Sequence, residues 1–313
     1  RSPARTAACA SRRWRVASGS ARLGVAAGQA TTAARQLRKA IGPDHRAALA
    51  WSRQVLGETR VPLHTHFATV TPNAATDLIA GIKADHVRAA LAGTCWADLP
   101  VLASAAPFRS GGRSGAGSFT DVGPGTIRMR NVSELYLYPN SLVAVALTGA
   151  QLSDWLERSA SIFRQVMPGD QDVALHDDAV PGFAFEAIPD VDYAIDLTQP
   201  SRFDPRGRLI NPQARRIVGL SYEGRLIDPA RRFVLATNNH RVNVESLTRG
   251  AAAPEPVYTA TTRMQALIAE QIRLRGTVGQ PARRNWGFLP MPGTTVRLQA
   301  GIGSERHAAD LAA

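Results

Sequence analysis

The sequence has few cysteines and no long apolar run, and these absences exclude several protein classes. Cys9 and Cys95 are the only cysteines in 313 residues, so neither a disulfide framework nor a zinc-ligand spacing is indicated. No apolar run approaches the ~18 residues needed to cross a bilayer, so no membrane span is predicted. A phosphate-binding P-loop, a Gly-x-Ser-x-Gly nucleophile motif and a Cys-x-x-Cys pair are also missing.

Acidic residues are absent from the first 43 positions, and this explains most of the basic charge. The formal net charge is +12, but residues 1–43 hold eight Arg and one Lys, which leaves 28 basic against 25 acidic residues in the remainder. Such an Arg-, Ala- and Ser-rich stretch cannot bury enough apolar surface to fold, so we predict a disordered basic tail over 1–43. A nucleic-acid partner is not expected, since no aromatic interleaving or DNA-binding motif accompanies the tail.

A buried strand that leads into a capped helix lies at the centre of the chain. Residues Leu142 to Leu147 form a continuous apolar run of strand length. Thr148, with Gln151 three residues later, is the capping-box pattern that starts a helix. Apolar residues then recur at helical spacing with charged residues between them, so one face of this helix is expected to be buried.

The other predicted elements mix helices and strands without a βαβ rhythm. A hairpin over 216–226 is predicted to turn at Glu223-Gly224, and Gly276 is predicted to end the last helix. The remaining predictions are helices over 72–93 and 262–275 and strands over 101–106, 190–197 and 233–237. This mixture favours an α+β fold, a mixed sheet with flanking helices. We predict a linker helix over 44–60 and one domain over 61–313.

Several long motifs in this order resemble one family. Glu134-Leu-Tyr-Leu-Tyr-Pro-Asn-Ser-Leu-Val143, followed by a Thr-Gly-x-x-Leu-x-x-Trp-Leu-Glu helix, resembles the carboxy-terminal domain of the 5′-nucleotidase family. Within the family the likeness is to the 2′,3′-cyclic-nucleotide 2′-phosphodiesterase/3′-nucleotidases. Further matching segments are 99–113, 192–202, 233–240 and Asn285-Trp286, so the likeness covers roughly residues 45–300.

A glycine-rich loop after a predicted strand is the first candidate binding element. Gly111 and Gly112 allow a backbone to approach a ligand closely, and Arg113 adds a planar fork that suits phosphate or ribose oxygens. The alternative is a flexible surface loop with a solvated arginine. The resemblance implies that this Gly-Gly-Arg loop contacts a nucleotide.

Two rings at strand or loop ends form the second candidate. The resemblance implies that Tyr138 and His240 sandwich a nucleobase, although relatives carry a larger ring at the position of His240. Core packing is the alternative for Tyr138, and a hydrogen-bonded strand-end histidine for His240. Among the nearby asparagines, Asn238 is favoured for a ligand contact, whereas Asn131 is interpreted as a helix N-cap. The stretch 241–249 lacks the family's glycine-rich turn.

Metal-binding patterns are weak in this sequence. His64-x-His66 places two imidazoles on one strand face, and His176-Asp177-Asp178 could contact a cation, but neither pattern has further ligands nearby, so these side chains are interpreted as solvent-facing. The resemblance implies two-metal phosphoester hydrolysis in an amino-terminal metallophosphatase domain. Its Asp-x-His, Gly-Asn-His-Glu/Asp and Gly-His-x-His motifs are absent here, so no cofactor and no catalytic residue is predicted in this chain.

The resulting hypothesis is a nucleotide-binding domain of a phosphoester hydrolase that acts in nucleotide catabolism. We read the chain as a fragment whose divalent metals and catalysis would come from a metallophosphatase domain. A nucleotide or nucleoside is the expected ligand. The resemblance implies a periplasmic location, although no secretory signal is recognised in the sequence. The alternatives are a non-catalytic small-molecule or nucleic-acid binding protein and a degenerate, truncated gene product.

Overall fold

The computed structural model of the chain describes residues 32–177, 180–243 and 254–311. The described residues fall into two compact units, which meet between Leu49 and Ala50. Of the predicted tail, residues 1–31 lie outside the described part. Helix α1 covers Thr32–Ser52 and contains Pro43. The prediction of a disordered tail that reaches residue 43 is therefore wrong for residues 32–43.

The predicted linker helix over 44–60 is also corrected, because its last third is a strand. Residues Val55–Thr59 form β1, which pairs with β5 (Gly125–Arg128) antiparallel and with β13 (Thr277–Val278) parallel. Both partners are far away in sequence. Local periodicity could not reveal a strand whose hydrogen-bonding partners come from residues 125 and 277 onward.

A four-stranded mixed sheet in the order β12-β6-β11-β3 forms the centre of the domain. β6 and β11 pair antiparallel, whereas β11 and β3 pair parallel. The four strands are β12 (Glu255–Arg263), β6 (Ser141–Thr148), β11 (Arg232–Asn238) and β3 (Val101–Ala103). The mixed pairing confirms the predicted α+β class.

Strands β6, β11 and β3 of the central sheet are buried on both faces, which explains why the apolar run of β6 is continuous. Successive side chains of a strand point to opposite faces. Leu142 and Ala144 lie in one hydrophobic core, whereas Val143, Val145 and Leu147 lie in the other. The sheet therefore separates two cores.

Helices cover the first of these two cores. α2 (Ala74–Leu91) begins at the N-cap Asn73, whose Oδ1 accepts from Ala75 N at 3.0 Å. α3 covers Met129–Leu135, and α6 covers Met264–Arg275 and ends at Gly276 with φ 67°. Asn131 is not the predicted N-cap of α3, since it lies in the first turn and its Oδ1 accepts from Arg128 N at 2.8 Å.

The second core lies between α4 and a second sheet. α4 (Gly149–Ser159) has the predicted capping box, since Thr148 and Gln151 each accept a backbone hydrogen bond from the other. The second sheet has the order β10-β9-β8-β14. Its strands are β10 (Arg225–Leu226), β9 (Ile217–Tyr222), β8 (Asp192–Ile195) and β14 (Trp286–Phe288).

Short elements complete the described fold. β2 (Leu63–His64) pairs with β4 (Asp121–Val122), and β7 (Val173–Ala174) pairs with β15 (Val296–Arg297). α5 (Asn239–Asn243) follows β11 directly. Four 3₁₀ helices cover Gly112–Ser114, Ala160–Ile162, Gly182–Ala184 and Ser304–Leu311. Within the described ranges, every helix is too short or too polar to cross a membrane.

Candidate nucleotide-binding site

Tyr138 lies at a surface turn between α3 and β6. Asn140 N donates to Tyr138 O at 2.8 Å and closes the turn at Pro139. The Tyr138 side chain is 39% exposed. Its ring packs edge-on against Phe108 at 5.4 Å and Phe183 at 6.0 Å between ring centroids. The ring is therefore held from the side while part of it stays open to a ligand.

Because β6 and β11 pair antiparallel, the end of β11 that leads to His240 lies beside the start of β6, which Tyr138 precedes. Asn238 pairs with Leu142, and Asn239 Oδ1 accepts from Ser141 N at 3.0 Å. His240 itself is exposed in the first turn of α5. Partial burial and the neighbouring Arg241 guanidinium lower the pKa of His240. The imidazole is thus favoured in its neutral form.

Asn238 supports this edge from inside the fold. Its side chain is 2% exposed, and its Oδ1 accepts from Arg241 N at 3.0 Å, which caps α5. The residue therefore positions His240 and Arg241. A direct contact between Asn238 and a ligand stays a prediction.

The glycine loop has a backbone conformation that requires glycine. Gly111 and Gly112 have φ of 72° and 59°, a region that other residues rarely adopt. A Cβ on Gly111 would lie 2.6 Å from the Phe119 ring. Gly112 N donates to Gln299 Oε1 at 2.6 Å. The side chain of Arg113 lies outside the described part of the chain, so its ligand contact stays a prediction.

The segment 180–184 connects the glycine loop with the two candidate rings. A Cβ on Gly112 would lie 3.7 Å from Val180 O. Phe183 packs against Tyr138, and its carbonyl accepts a hydrogen bond from the Arg241 guanidinium. The loop, Tyr138 and α5 therefore all border one short segment. The chain brings together three features that are far apart in sequence.

Sequence reasoning missed Phe183 and Phe108 as parts of this site. Both are partly buried aromatic residues, Phe108 in a loop and Phe183 in a three-residue 3₁₀ helix, where the sequence has no helical or strand periodicity. An exposed tyrosine is expected to pack against other aromatic rings, but the sequence does not show which aromatic residues lie beside Tyr138. Of the stretch 241–249, where the family's glycine-rich turn is expected, residues 244–249 lie outside the described part.

A buried polar network lies directly behind the site. Glu186 is 2% exposed and accepts from Trp155 Nε1 at 2.9 Å and from Ser104 Oγ at 3.2 Å. Its Oε1 lies 3.3 Å from Arg241 Nε. Lys83 is 1% exposed and donates to Ser104 O at 2.6 Å. Glu186 thus holds Arg241, and with it α5, against the sheet.

Burial lowers the pKa of Lys83 to about 8, although the nearby Glu186 opposes the shift. The lysine ordinarily titrates at 10.5, so between these two values the unfolded chain binds more protons than the folded chain. We expect the free energy of unfolding of the natural protein to rise with pH from 8 to 10, relative to Lys83→Met, by up to about 1.4 kcal/mol per pH unit. Urea unfolding at three pH values measures this slope.

Lys39, the other lysine of the chain, is the matched control because it is exposed on α1. Lys39→Met is expected to keep the pH dependence of the natural protein. Parallel pH profiles for the natural protein and Lys83→Met would contradict the lowered pKa.

The candidate site is an open surface and not an enclosed cavity. Of the cavities near it, one bordered by Gly112 and Gly182 has a volume of about 20 Å³, and one bordered by Glu186 and Arg241 has about 50 Å³. A larger cavity of about 490 Å³ lies elsewhere, beside Asp77. Cavity volume therefore does not identify the candidate site. It is identified by the exposed ring of Tyr138 and by the elements that converge on this ring.

A family profile decides which group of proteins the chain represents. The profile of the 5′-nucleotidase C-terminal domain matches residues 71–247, more than half of the chain. The chain belongs to the 5′-nucleotidase family. This confirms the predicted resemblance. The matched range of this C-terminal domain includes Gly111, Tyr138 and His240.

Curated relatives agree with this family membership. The chain is 34% identical over 259 residues to a 2′,3′-cyclic-nucleotide 2′-phosphodiesterase/3′-nucleotidase of Haemophilus influenzae. This alignment covers 80% of this chain and 39% of that protein. The chain is also 30% identical over 292 residues to a trifunctional nucleotide phosphoesterase of Bacillus subtilis. This second alignment covers 92% of this chain and 20% of that protein. The chain thus spans less than half of either relative.

A solved structure has the same fold. The 5′-nucleotidase precursor of Thermus thermophilus superposes with a TM-score of 0.58 at 17% identity, over 83% of this chain and 44% of that one. The α+β fold of the 5′-nucleotidase C-terminal domain is therefore confirmed independently of sequence identity.

Proposed function

We propose that this 5′-nucleotidase C-terminal domain binds the nucleotide substrate of a 2′,3′-cyclic-nucleotide 2′-phosphodiesterase/3′-nucleotidase. The observation that carries the proposal is the partly exposed Tyr138 ring. Phe108 and Phe183 hold it edge-on at the end of the central strands where His240 also lies. An exposed aromatic face stacks on any nucleobase, because every base has a π-face.

Each candidate residue has a distinct part in this proposal. Tyr138 stacks on the base, and the neutral imidazole of His240 supplies the second, smaller ring. The backbone of Gly111 and Gly112 permits a close approach, and Arg113 contacts phosphate or ribose oxygens. Hydrolysis is assigned to a metallophosphatase domain with paired divalent metals. The periplasmic location that the family likeness implies is part of the same proposal, and fractionation of the native host would test it.

Calorimetric titration of the chain with adenosine 3′-monophosphate tests this function. Stacking is worth about 1–3 kcal/mol per base, so Tyr138→Ala is expected to weaken binding by about 5- to 150-fold. Tyr138→Phe keeps the aromatic face and is expected to bind within about threefold of the natural protein.

Leu274 provides the matched surface control, because it is 72% exposed on α6. Leu274→Ala is expected to leave nucleotide binding unchanged. No heat at millimolar nucleotide, or equal affinities for the natural protein and Tyr138→Ala, would overturn the proposal. Salt-dependent binding of single-stranded RNA in place of the mononucleotide would favour the nucleic-acid alternative.

A further inference from the structure

The histidines of the His64-x-His66 motif are buried and not solvent-facing, which corrects the prediction from sequence. His64 is 4% exposed and His66 is 2% exposed. His64 lies in β2 and pairs with Asp121 of β4. His66 lies in the turn that follows β2, with its ring 5.7 Å from the His64 ring. Both imidazoles are therefore close to the Asp121 carboxylate.

A second pair of potential ligands comes from the far end of the described chain. His307 and Asp310 lie three residues apart in the 3₁₀ helix Ser304–Leu311, so they project from the same side of it. The His307 ring stacks on His64 with a centroid distance of 3.8 Å and lies 5.5 Å from the His66 ring. His64 Nε2 lies 2.9 Å from an Asp310 carboxylate oxygen. Three imidazoles and two carboxylates thus converge from three segments.

Three of these groups lie close enough together to share one cation. His66 Nε2 lies 3.6 Å from Asp121 Oδ2, and His307 Nε2 lies 3.1 Å from Asp121 Oδ1. One ligand atom from each of these residues lies within 4.8 Å of the others. Zinc bonds of about 2.0–2.2 Å place tetrahedral ligand atoms about 3.3–3.6 Å apart, so the His66–Asp121 distance fits and the closer His307–Asp121 pair would separate slightly on binding.

Hydrogen bonding at His66 is incomplete, and this points to a missing ligand. Both its ring nitrogens, Nδ1 and Nε2, are buried and make no hydrogen bond to any described residue. A buried polar group without a partner costs about 1–3 kcal/mol. A cation bound to Nε2 would satisfy the nitrogen that faces Asp121.

We propose that His66, Asp121 and His307 form a binding site for a divalent transition-metal cation of the Zn²⁺ class. Two imidazole nitrogens and one carboxylate oxygen suit zinc and leave a fourth position open. Imidazole ligands disfavour Mg²⁺ and Ca²⁺, which prefer oxygen. The site belongs to this chain's own fold and does not depend on the proposed nucleotide function.

Arg306 competes with the cation for Asp121. Its guanidinium contacts Asp121 Oδ2, and its side chain is 64% exposed. An exposed arginine can move into solvent and release one carboxylate oxygen at little cost. Arg306→Ala is therefore expected to tighten metal binding, an effect that a purely structural histidine cluster would not produce.

Metal binding would fix the C-terminal segment onto the domain. The same segment carries Gln299, whose side chain accepts from Gly112 N at 2.6 Å. Gly301 lies against the rings of Phe119 and His66, since a Cβ there would be 2.7 Å from His66 Nδ1. Residues 299–307 thus connect the proposed cation to the glycine loop. A bound cation is expected to protect this segment from proteolysis.

Titration of the metal-free chain with ZnCl₂, followed by calorimetry and thermal melting, tests the proposal. We expect one Zn²⁺ per chain and a Tm increase of about 5–10 °C when free zinc is 100-fold above Kd. MgCl₂ at the same concentration is expected to give no shift. Co²⁺ is expected to give the visible absorption of a tetrahedral nitrogen and oxygen site, and Zn²⁺ is expected to displace it.

Variants identify the ligands. Asp121→Asn and His307→Ala are each expected to weaken zinc binding at least tenfold, whereas Arg306→Ala is expected to strengthen it. His86 is the matched control, a partly buried histidine whose Nε2 bonds the Tyr258 hydroxyl at 2.9 Å, and His86→Ala is expected to keep zinc affinity. No saturable zinc binding by the natural chain, or equal affinities for the natural chain, Asp121→Asn and Arg306→Ala, would overturn the site.

Discussion

Replacing Glu186 by alanine is expected to lower the free energy of unfolding by about 3–5 kcal/mol, because it leaves buried cations without their shared anion. Arg241 Nε lies 3.3 Å from Glu186, and the Lys83 ammonium is fully buried nearby. Trp155 Nε1 would also lose its acceptor at 2.9 Å. Urea or guanidinium unfolding, monitored by tryptophan fluorescence and by far-ultraviolet circular dichroism, measures the loss.

Two further variants separate the charge from the hydrogen bonds. Glu186→Gln keeps an acceptor for Trp155 but removes the charge, so an intermediate loss is expected. Glu270, which is exposed on α6, is the matched control, and Glu270→Ala is expected to change stability by less than about 0.5 kcal/mol. A Glu186→Ala protein as stable as Glu270→Ala would show that the Glu186 network makes no net contribution to the free energy of unfolding.

Arg216→Ala is expected to have an effect of similar size, about 3–5 kcal/mol, in the second core. Arg216 is 1% exposed, and its guanidinium donates to the carbonyls of Ala160, Phe163 and Gln199 at 2.8–3.0 Å. The carbonyls of Ala160 and Phe163 end α4 and the 3₁₀ turn after it, whereas the carbonyl of Gln199 lies in the turn that follows β8. Without the guanidinium, buried acceptors lose their donors and a cavity remains.

Arg216→Lys and Arg225→Ala complete this test. A lysine keeps the charge but lacks the planar guanidinium that donates to three carbonyls, so most of the loss of stability is expected to remain. Arg225 is exposed in the following strand of the same hairpin, and its removal is expected to be nearly neutral. Equal denaturation midpoints for Arg216→Ala and Arg225→Ala would refute the anchoring role of Arg216.

The elements that sequence predicted best are those with a local physical cause. The turn at Glu223-Gly224 has φ of 51° and 73°, as a two-residue hairpin requires. The capping box at Thr148 and the glycine end of α6 also depend only on residues within one helical turn. Such features can be read directly from neighbouring residues.

Errors occurred where a partner distant in sequence decides the local structure. Val55–Thr59 is a strand because two distant strands bond to it. α1 continues through Pro43, which sequence analysis treated as the end of a disordered tail. His64 and His66 were interpreted as exposed, yet Phe119 and His307 cover them. Periodicity carries no information about such partners.

The candidate site shows the same division. Tyr138 was predicted from the family resemblance, and the glycine loop from that resemblance and from its glycines after a predicted strand. Phe183 packs against Tyr138 and its carbonyl contacts Arg241, but it was not predicted, because its three-residue 3₁₀ helix is too short to give a sequence pattern. The family likeness supplied the positions, and only the fold supplied their neighbours.

Residue patterns alone specify the α+β class, the capped helix after β6, the hairpin and the family, because each depends on neighbouring residues or on long ordered motifs. The folded chain is needed to show which buried charges share Glu186 and which rings hold Tyr138. It alone brought His307 to His66 and Asp121. The reason is that burial and charge pairing depend on segments up to 246 residues apart, which no local pattern encodes.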